Sequence, residues 1–181
     1  MNSVFDEIYD QYHHDIFQFL FYLVKNREQA EDLSQEVYIR VIKSYNRFEG
    51  KSSVKTWILS IARNVAIDHF RKEKNWKDRV FSHFNWVDFE IKDQRPIPEE
   101  IALKNEKVQL LYHCLDLCTV DQKLVLITRF IQDLSITETA EVLGWSESKV
   151  KTTQHRALKN LKKVMEDKLK EGGTAIDDNE K

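Results

Sequence analysis

Apolar residues recur at steps of three and four positions along most of the chain, the spacing that places them on one face of an α-helix. In the first 75 residues this pattern predicts three helices, at residues 3–24, 28–45 and 54–72. Asn26 separates the first two helices, and a loop at residues 48–53 precedes the third, with Ser52 or Ser53 as its N-cap. The amino-terminal part of the chain therefore predicts a small helical domain.

The helical pattern is lost between residues 75 and 99, a segment that contains both prolines of the chain. The pattern then predicts two further amphipathic helices at residues 99–117 and 121–132, the second capped by Thr119 or Asp121. The acidic end of the chain is typical of a disordered tail. We therefore predict an all-α fold of two small helical domains joined by a flexible linker. The predicted parts are domain 1–75, linker 76–100, domain 101–168 and tail 169–181.

The most informative stretch begins at Ser135, which precedes a short helix and forms a capping box with Glu138. Gly144 suits the left-handed position that ends this helix, and Ser146 caps the next one, predicted at residues 147–165. Two helices joined by a turn of this length are typical of a helix-turn-helix motif. The motif's small residue, turn glycine and apolar residue are Ala140, Gly144 and Val150.

The second helix of this motif is amphipathic and basic. Residues 145–163 carry six basic side chains and one acidic side chain, although the whole chain has a net charge of −2. We expect its apolar residues to face inward: Val150, Ala157, Leu158 and Leu161. Polar groups near the N-terminus of such a helix and cations along its flanks suit the major groove of DNA. The alternatives are a solvated helix of an ordinary bundle and an amphipathic helix that binds membranes.

Composition excludes several other classes of protein. Four glycines and two prolines in 181 residues are too few for collagen-like or turn-rich β architectures. No P-loop, zinc-protease or serine-hydrolase motif is present, so we predict no enzyme and no small-molecule substrate. We interpret Cys114 and Cys118 as buried reduced thiols and predict neither a metal nor a cofactor. The lack of a signal sequence or a long apolar run predicts a cytoplasmic protein.

Three ordered stretches resemble bacterial extracytoplasmic-function (ECF) sigma factors, and within that family the SigX type of Bacillus-like bacteria. They are the stretch that begins Ala30-Glu-Asp-Leu-Ser-Gln-Glu, the stretch that contains Ala62-Arg-Asn-Val-Ala-Ile-Asp, and the helix-turn-helix. The resemblance implies sigma domain 2 followed by sigma domain 4. It also implies a protein that binds core RNA polymerase and directs it to promoter DNA, where domain 2 reads and melts the −10 element and domain 4 reads the −35 element.

The resemblance also implies roles for residues at matching positions of domain 2. Those expected to bind the clamp helices of the polymerase β′ subunit are Asp32, Gln35, Glu36 and Arg40. Those expected to bind −10 DNA are Lys51, Lys55, Arg63, Asn64, Asp68, Arg71 and Lys72. Asn64 matches a pocket that receives an extruded base, a step that costs a few kcal/mol of unstacking. For Trp57 we favour packing in the core over contact with DNA.

In domain 4 the resemblance assigns the −35 element to the helix after Gly144. The residues expected to bind there are Ser148, Lys149, Lys151, Thr152, His155, Arg156 and Lys159. Arg156 and Lys159 suit phosphates better than base edges because they lie further from the N-terminus of the helix. The helix at residues 121–132 would face the flap tip of the polymerase β subunit. The family further implies a membrane-anchored anti-sigma factor that masks the polymerase-binding surfaces.

The alternative function is an operator-binding transcription regulator that uses the same helix-turn-helix without being a polymerase subunit. The motifs at residues 28–45 and 48–72 distinguish the two functions, because an operator-binding protein has no use for them. Promoter-specific transcription with core enzyme identifies a sigma factor, whereas duplex binding without such transcription identifies the regulator.

Overall fold

The computed structural model describes residues 4–81, 109 and 112–173, and every regular element within these ranges is helical. The chain divides into an amino-terminal unit and a carboxy-terminal unit. The predicted all-α fold with two helical parts is thereby confirmed. Most of the predicted linker and of the helix predicted at residues 99–117 lies outside the described residues, and the linker and tail boundaries stay predictions.

The amino-terminal unit contains three long helices. They are α1 (Val4–Val24), α2 (Arg27–Ser44) and α3 (Val54–Phe81), with a 3₁₀ turn at Tyr45–Arg47 after α2. Asn26 caps α2 by accepting a hydrogen bond from the backbone N–H of Gln29 at 2.9 Å. Ser53 caps α3 in the same way, with the backbone N–H of Thr56 at 3.1 Å from its hydroxyl oxygen. Two of the predicted helix starts therefore rest on side-chain caps.

The core of this unit is formed by one apolar face from each helix. The largest fully buried side chains are Phe19, Ile16 and Leu20 of α1, Val37 and Val41 of α2, and Ile58 and Leu59 of α3. Two apolar residues of α2 lie outside this core, since Ile39 is 46% and Ile42 is 56% exposed. The apolar pattern of α2 is thus wider than the face that the other two helices cover.

Helix α3 is longer than predicted. We expected it to end near Lys72, yet its backbone stays helical to Phe81. Residues 73–81 include neither glycine nor proline, and they are rich in lysine, glutamate and arginine, which favour helices. The loss of apolar periodicity there does not mark the end of the helix.

The described part of the carboxy-terminal unit is built from short helices and one long one. A 3₁₀ turn at Leu115–Leu117 precedes α4 (Val120–Leu126), which continues as a π-helical turn at Ile127–Ile131. Two further helices follow, α5 (Ile136–Leu143) and α6 (Glu147–Gly173). Among the described residues of the whole chain, no helix is both long enough and apolar enough to cross a membrane.

Three hydroxyl side chains set where these helices begin. Thr119 caps α4 through a box with Gln122. Ser135 caps α5, accepting from the Glu138 backbone N–H at 3.1 Å while its own N–H donates to the Glu138 carboxylate at 2.8 Å. Ser146 caps α6, because its hydroxyl oxygen accepts a hydrogen bond from the backbone N–H of Lys149 at 3.2 Å. The predicted caps of the helix-turn-helix are confirmed.

Gly144 forms the turn between α5 and α6 with a left-handed φ of +64°. Its N–H donates to the carbonyl of Glu141 at 3.3 Å, and the N–H of Trp145 donates to the carbonyl of Ala140 at 2.9 Å. These two bonds are the pair that defines a Schellman motif. The turn therefore satisfies the last carbonyls of α5 and leads directly into the cap of α6.

Two further expectations concern buried residues. Cys114 and Cys118 are free and buried, as predicted. Leu158 was expected to face inward but is 39% exposed, whereas Val150 and Ala157 are fully buried. Leu158 follows Val150 by eight residues, which turns it about 80° away around the helix and places it at the edge of the buried face. Helix α6 also continues past the predicted end at Met165.

We expect the substitution Gly144→Ala to lower the free energy of unfolding by about 1–2 kcal/mol, the cost of a left-handed conformation in a residue with Cβ. A Cβ atom at this position would meet no atom within 4 Å, so backbone strain is the whole effect. Urea denaturation followed by circular dichroism measures it. Gly144→Asn is the control and should cost less, because asparagine tolerates this conformation. Equal stability of the alanine variant and the wild type would contradict the argument.

Candidate nucleic-acid interface

Helix α6 presents a row of exposed polar side chains. Ser148, Thr152, His155 and Lys159 are all exposed and follow one another at intervals of four, three and four residues, which places them along one stripe. Val150 and Ala157 are buried on the opposite side. The stripe begins with two small hydroxyl residues, so the helix can approach the edges of base pairs closely in a groove about 12 Å wide.

Cations flank this stripe. Lys151 and Arg156 are exposed on either side of it. The ammonium of Lys151 lies 3.6 Å from the carboxylate of Glu147, one helical turn earlier. Glu147 also accepts a hydrogen bond from the hydroxyl of Thr137 on α5 at 2.7 Å. The first turn of α6 is therefore joined to the start of α5 by a polar contact that spans the turn.

Lys149 is placed differently from the other predicted cations of α6. Its ammonium lies 3.7 Å from the centre of the Trp145 ring and 3.5 Å from the carboxylate of Asp121, at the start of α4. The side chain thus points toward another helix of its own unit. The structure does not bring Lys149 into the stripe of Ser148, Thr152 and His155.

Arg129 has a role that the sequence pattern did not suggest. Its Nε donates to the side-chain oxygen of Gln154 on α6 at 2.9 Å, and its Nη1 donates to the carbonyl oxygen of Leu134 in the loop before α5. The guanidinium also lies 5.9 Å from the ring of Phe130. Arg129 ties α6 to the π-helical turn and to the loop before α5. The available signal was an arginine inside the largely apolar stretch 124–131, which calls for polar partners.

In the amino-terminal unit, aromatic side chains support the loop before α3. The ring of Trp57 lies 4.7 Å from that of Phe48 and 6.2 Å from that of Tyr45. Trp57 is only half-buried, so it packs at the base of the loop and not in the centre of the core. Gly50, at the tip of the loop, has a left-handed φ of +69°. The loop is therefore held at its base.

The predicted −10 residues are distributed over this loop and one side of α3. Lys51 is highly exposed on the loop and pairs with Glu49. On α3, Arg63 donates to the side-chain oxygen of Asn64 at 2.9 Å, and Arg71 lies 3.7 Å from Asp68. Lys72 is exposed.

Lys55 is the exception. Its ammonium lies 3.1 Å from the carboxylate of Asp15 on α1, and both side chains are mostly buried. The structure therefore directs Lys55 toward α1, away from the loop.

The predicted polymerase-binding residues lie along α2, where Asp32 and Gln35 are exposed. Glu36 accepts a hydrogen bond from Nε of Arg40 at 2.9 Å, and Nη1 of Arg40 lies 3.2 Å from Asp68 on α3. The Glu36 carboxylate, more than any other group, raises the pKa of Arg40 above its usual value. A chain of ion pairs, Glu36–Arg40–Asp68–Arg71, thus joins α2 to α3. Sequence reasoning had assigned these residues to two separate surfaces.

Within the described residues no group of three or more histidine, cysteine, aspartate or glutamate side chains is arranged to hold a metal ion. An apolar groove lies on the carboxy-terminal unit, with a volume of about 240 Å³. It is lined by Leu115, Leu126, Ile127, Phe130, Ile131, Leu158 and Leu161. The carboxy-terminal unit therefore presents a polar surface on the outer side of α6 and an apolar groove beside α4.

Two family models match the chain, Sigma-70 region 2 over residues 8–76 and Sigma-70 region 4 over residues 109–161. The ECF RNA polymerase sigma factor SigX of Bacillus subtilis (strain 168) is 56% identical over 166 residues, which are 92% of this chain and 86% of that protein. The RNA polymerase sigma factor YlaC of the same organism is 34% identical over 88% of this chain and 91% of that protein.

A solved structure has a similar fold. It is the sigma factor RpoE in complex with the anti-sigma factor NepR from Bartonella quintana, with a TM-score of 0.70 and 20% identity. The similarity covers 90% of this chain and 96% of the other.

We expect Arg40 and Asp68 to stabilise each other by about 0.5 kcal/mol, because both side chains are more than a third exposed and water screens their attraction. A double-mutant cycle of Arg40→Met and Asp68→Asn, followed by urea denaturation, measures this coupling. The control cycle uses Arg27 and Glu31, a more exposed pair within α2, for which we expect about 0.3 kcal/mol. Strict additivity of the Arg40 and Asp68 substitutions would show that the two helices are not electrostatically linked.

Proposed function

The chain belongs to the extracytoplasmic-function family of RNA polymerase sigma factors, which bind core RNA polymerase and direct it to promoters, and we propose how its surfaces divide this task. The carboxy-terminal unit reads the −35 element through the exposed stripe of α6. Ser148, Thr152 and His155 face the base edges, while Lys151, Arg156 and Lys159 bind phosphates. The observation that carries this proposal is the alignment of small polar residues along one side of a capped helix.

The amino-terminal unit reads and melts the −10 element with the loop before α3 and the adjoining side of that helix. Lys51 attracts the DNA strand from the tip of the loop, and the Arg63–Asn64 pair offers a polar site for an extruded base. Arg71 and Lys72 add positive charge further along α3. Lys55 contributes through the position of α3, since its ammonium is engaged by Asp15.

Core polymerase binds two other surfaces. The exposed side of α2, with Asp32, Gln35, Glu36 and Arg40, docks on the clamp helices of the β′ subunit. The groove beside α4 receives the flap of the β subunit, because its lining is apolar and Phe130 remains 51% exposed at its rim. Neither surface shares a residue with the stripe of α6, so polymerase and −35 DNA do not compete for the same side chains.

The alternative, an operator-binding regulator, accounts for the helix-turn-helix only. It gives no role to the loop before α3 or to the polar side of α2. The sigma-factor hypothesis gives a role to all of these surfaces, and it places the protein in the cytoplasm with the polymerase. In this reading the chain acts by binding and positioning, with neither a catalytic residue nor a cofactor of its own.

Run-off transcription tests the proposed function. Purified core enzyme with this chain should give a promoter-specific transcript that depends on both promoter elements, whereas the free chain should bind duplex DNA weakly and in a salt-sensitive way. Asn64→Ala should slow promoter melting about tenfold, the loss of one or two hydrogen bonds, and leave polymerase binding intact. Asn46→Ala, at an exposed asparagine of the same unit, is the matched control. Duplex binding by the free chain without any promoter-specific transcript would favour the regulator.

We further propose that an anti-sigma factor, membrane-anchored in this case, regulates the chain. Support comes from the family and from the similarity to a sigma factor whose structure contains the anti-sigma factor NepR. Such a partner would cover the polar side of α2 and the apolar groove beside α4, because both lie outside the unit cores and both are needed for polymerase.

Order of addition tests this proposal. The cytosolic segment of the anti-sigma factor should block run-off transcription when it is mixed with the chain before core enzyme, and inhibit much less after the holoenzyme has formed. The physical reason is competition for the same surfaces. Formation of a stable complex of segment, chain and core enzyme would contradict a shared surface.

A further inference from the structure

Lys149 lies at the start of α6, where a basic residue would ordinarily be assigned to DNA. Both groups that surround its ammonium belong to residues at hydrogen-bonded helix ends. The backbone of Trp145 is fixed by the hydrogen bond of its N–H to Ala140, and Asp121 stands in the first turn of α4, directly after the capping box of Thr119. The ammonium is therefore held between an aromatic ring at 3.7 Å and a carboxylate at 3.5 Å.

We propose, on the basis of the −35 function proposed above, that Lys149 is a positioning residue that anchors the first turn of α6 to α4 through Trp145 and Asp121 and makes no contact with DNA. Its chemistry differs from that of a phosphate-binding lysine. The ammonium of Lys149 faces the carboxylate of Asp121 and the ring of Trp145, so a phosphate would compete with two groups of the same unit for it.

The position of Lys149 around the helix supports this role. One residue corresponds to about 100° of rotation, so Lys149 lies at the flank of α6, about 100° from the buried Val150. Lys159 lies nine residues after Val150 and hence about 180° from it, in the middle of the exposed stripe. Both are lysines of α6, but their side chains point in different directions, and Lys149 contacts Asp121 and Trp145. Lys159 is therefore the matched control for Lys149.

The contacts of Lys149 lie in the first turn of α6, which sets the direction of the helix. The turn at Gly144 allows the helix to begin, and the contact of Thr137 with Glu147 holds one side of its first turn. The contact of Lys149 with Asp121 holds the other side and connects it to α4. With both sides held, Ser148 and Thr152 remain directed outward, and the bases are read by Ser148, Thr152 and His155 without Lys149.

The experiment measures binding of the holoenzyme to a duplex that carries the −35 element, at several salt concentrations. Each phosphate contact contributes about 0.9 to the slope of log K against log salt. Lys149→Met should weaken binding about two- to fivefold, the worth of an exposed cation–π contact, and leave the slope unchanged. Asp121→Asn should weaken binding to the same extent. The double variant of Lys149→Met and Asp121→Asn should bind no more weakly than either single variant, because both substitutions remove the same contact. Lys149→Arg should bind as tightly as the wild type.

Lys159→Met should instead lower the slope by about 0.9. Thermal melting of every variant identifies any that fails to fold. The anchor proposal is overturned if Lys149→Met lowers the slope as Lys159→Met does, if Asp121→Asn strengthens binding, or if Lys149→Met has no effect. Failure of the proposed −35 function has a different signature: wild-type binding would be indifferent to the −35 sequence, and Lys159→Met would leave the slope unchanged.

Discussion

The hydrogen bonds that begin and end the helices are the constraint on which the carboxy-terminal unit depends. A helix leaves four N–H groups unsatisfied at its start, and α4, α5 and α6 each use a hydroxyl side chain there. Since α4 and α5 have only seven and eight residues, they are too short to be stable by propensity alone. The caps and the turn at Gly144 therefore determine where α6 starts, and its starting residue determines which side chains point outward.

Ion pairs join neighbouring helices within each unit. Arg40 meets Asp68 across 28 positions of sequence, and Lys149 meets Asp121 in the same way between α6 and α4. Exposed pairs of this kind contribute little to the stability of a fold. Their importance lies in direction, because a pair between two helices turns the cation toward a neighbouring helix of its own unit, whereas a pair within one helix, such as Lys151 with Glu147, leaves the cation on the outer face. A count of basic residues along the sequence therefore does not show in which direction each of them points.

Local rules explain what could be predicted from the sequence. Caps such as Ser53 and Ser135 and the turn at Gly144 depend on residues within one helical turn, and all three are present in the structure. Helix ends were predicted less well, because loss of apolar periodicity after Lys72 does not by itself break a helix. Exposure of Leu158 and the contacts of Arg129 could not be predicted, since both depend on which helix packs alongside. Apolar periodicity identifies which face of a helix is buried, but the packing of neighbouring helices determines which residues of that face are covered.

The burial of the two cysteines has a practical consequence for the study of motion in this protein. The chain has no other cysteine, and both thiols are enclosed within the carboxy-terminal unit. A thiol placed on the surface by substitution is therefore the one that a maleimide reagent would reach first. Fluorophores can be attached at chosen sites on each unit of an otherwise natural sequence, so that distances between the units can be followed by energy transfer as the protein meets its polymerase and its promoter.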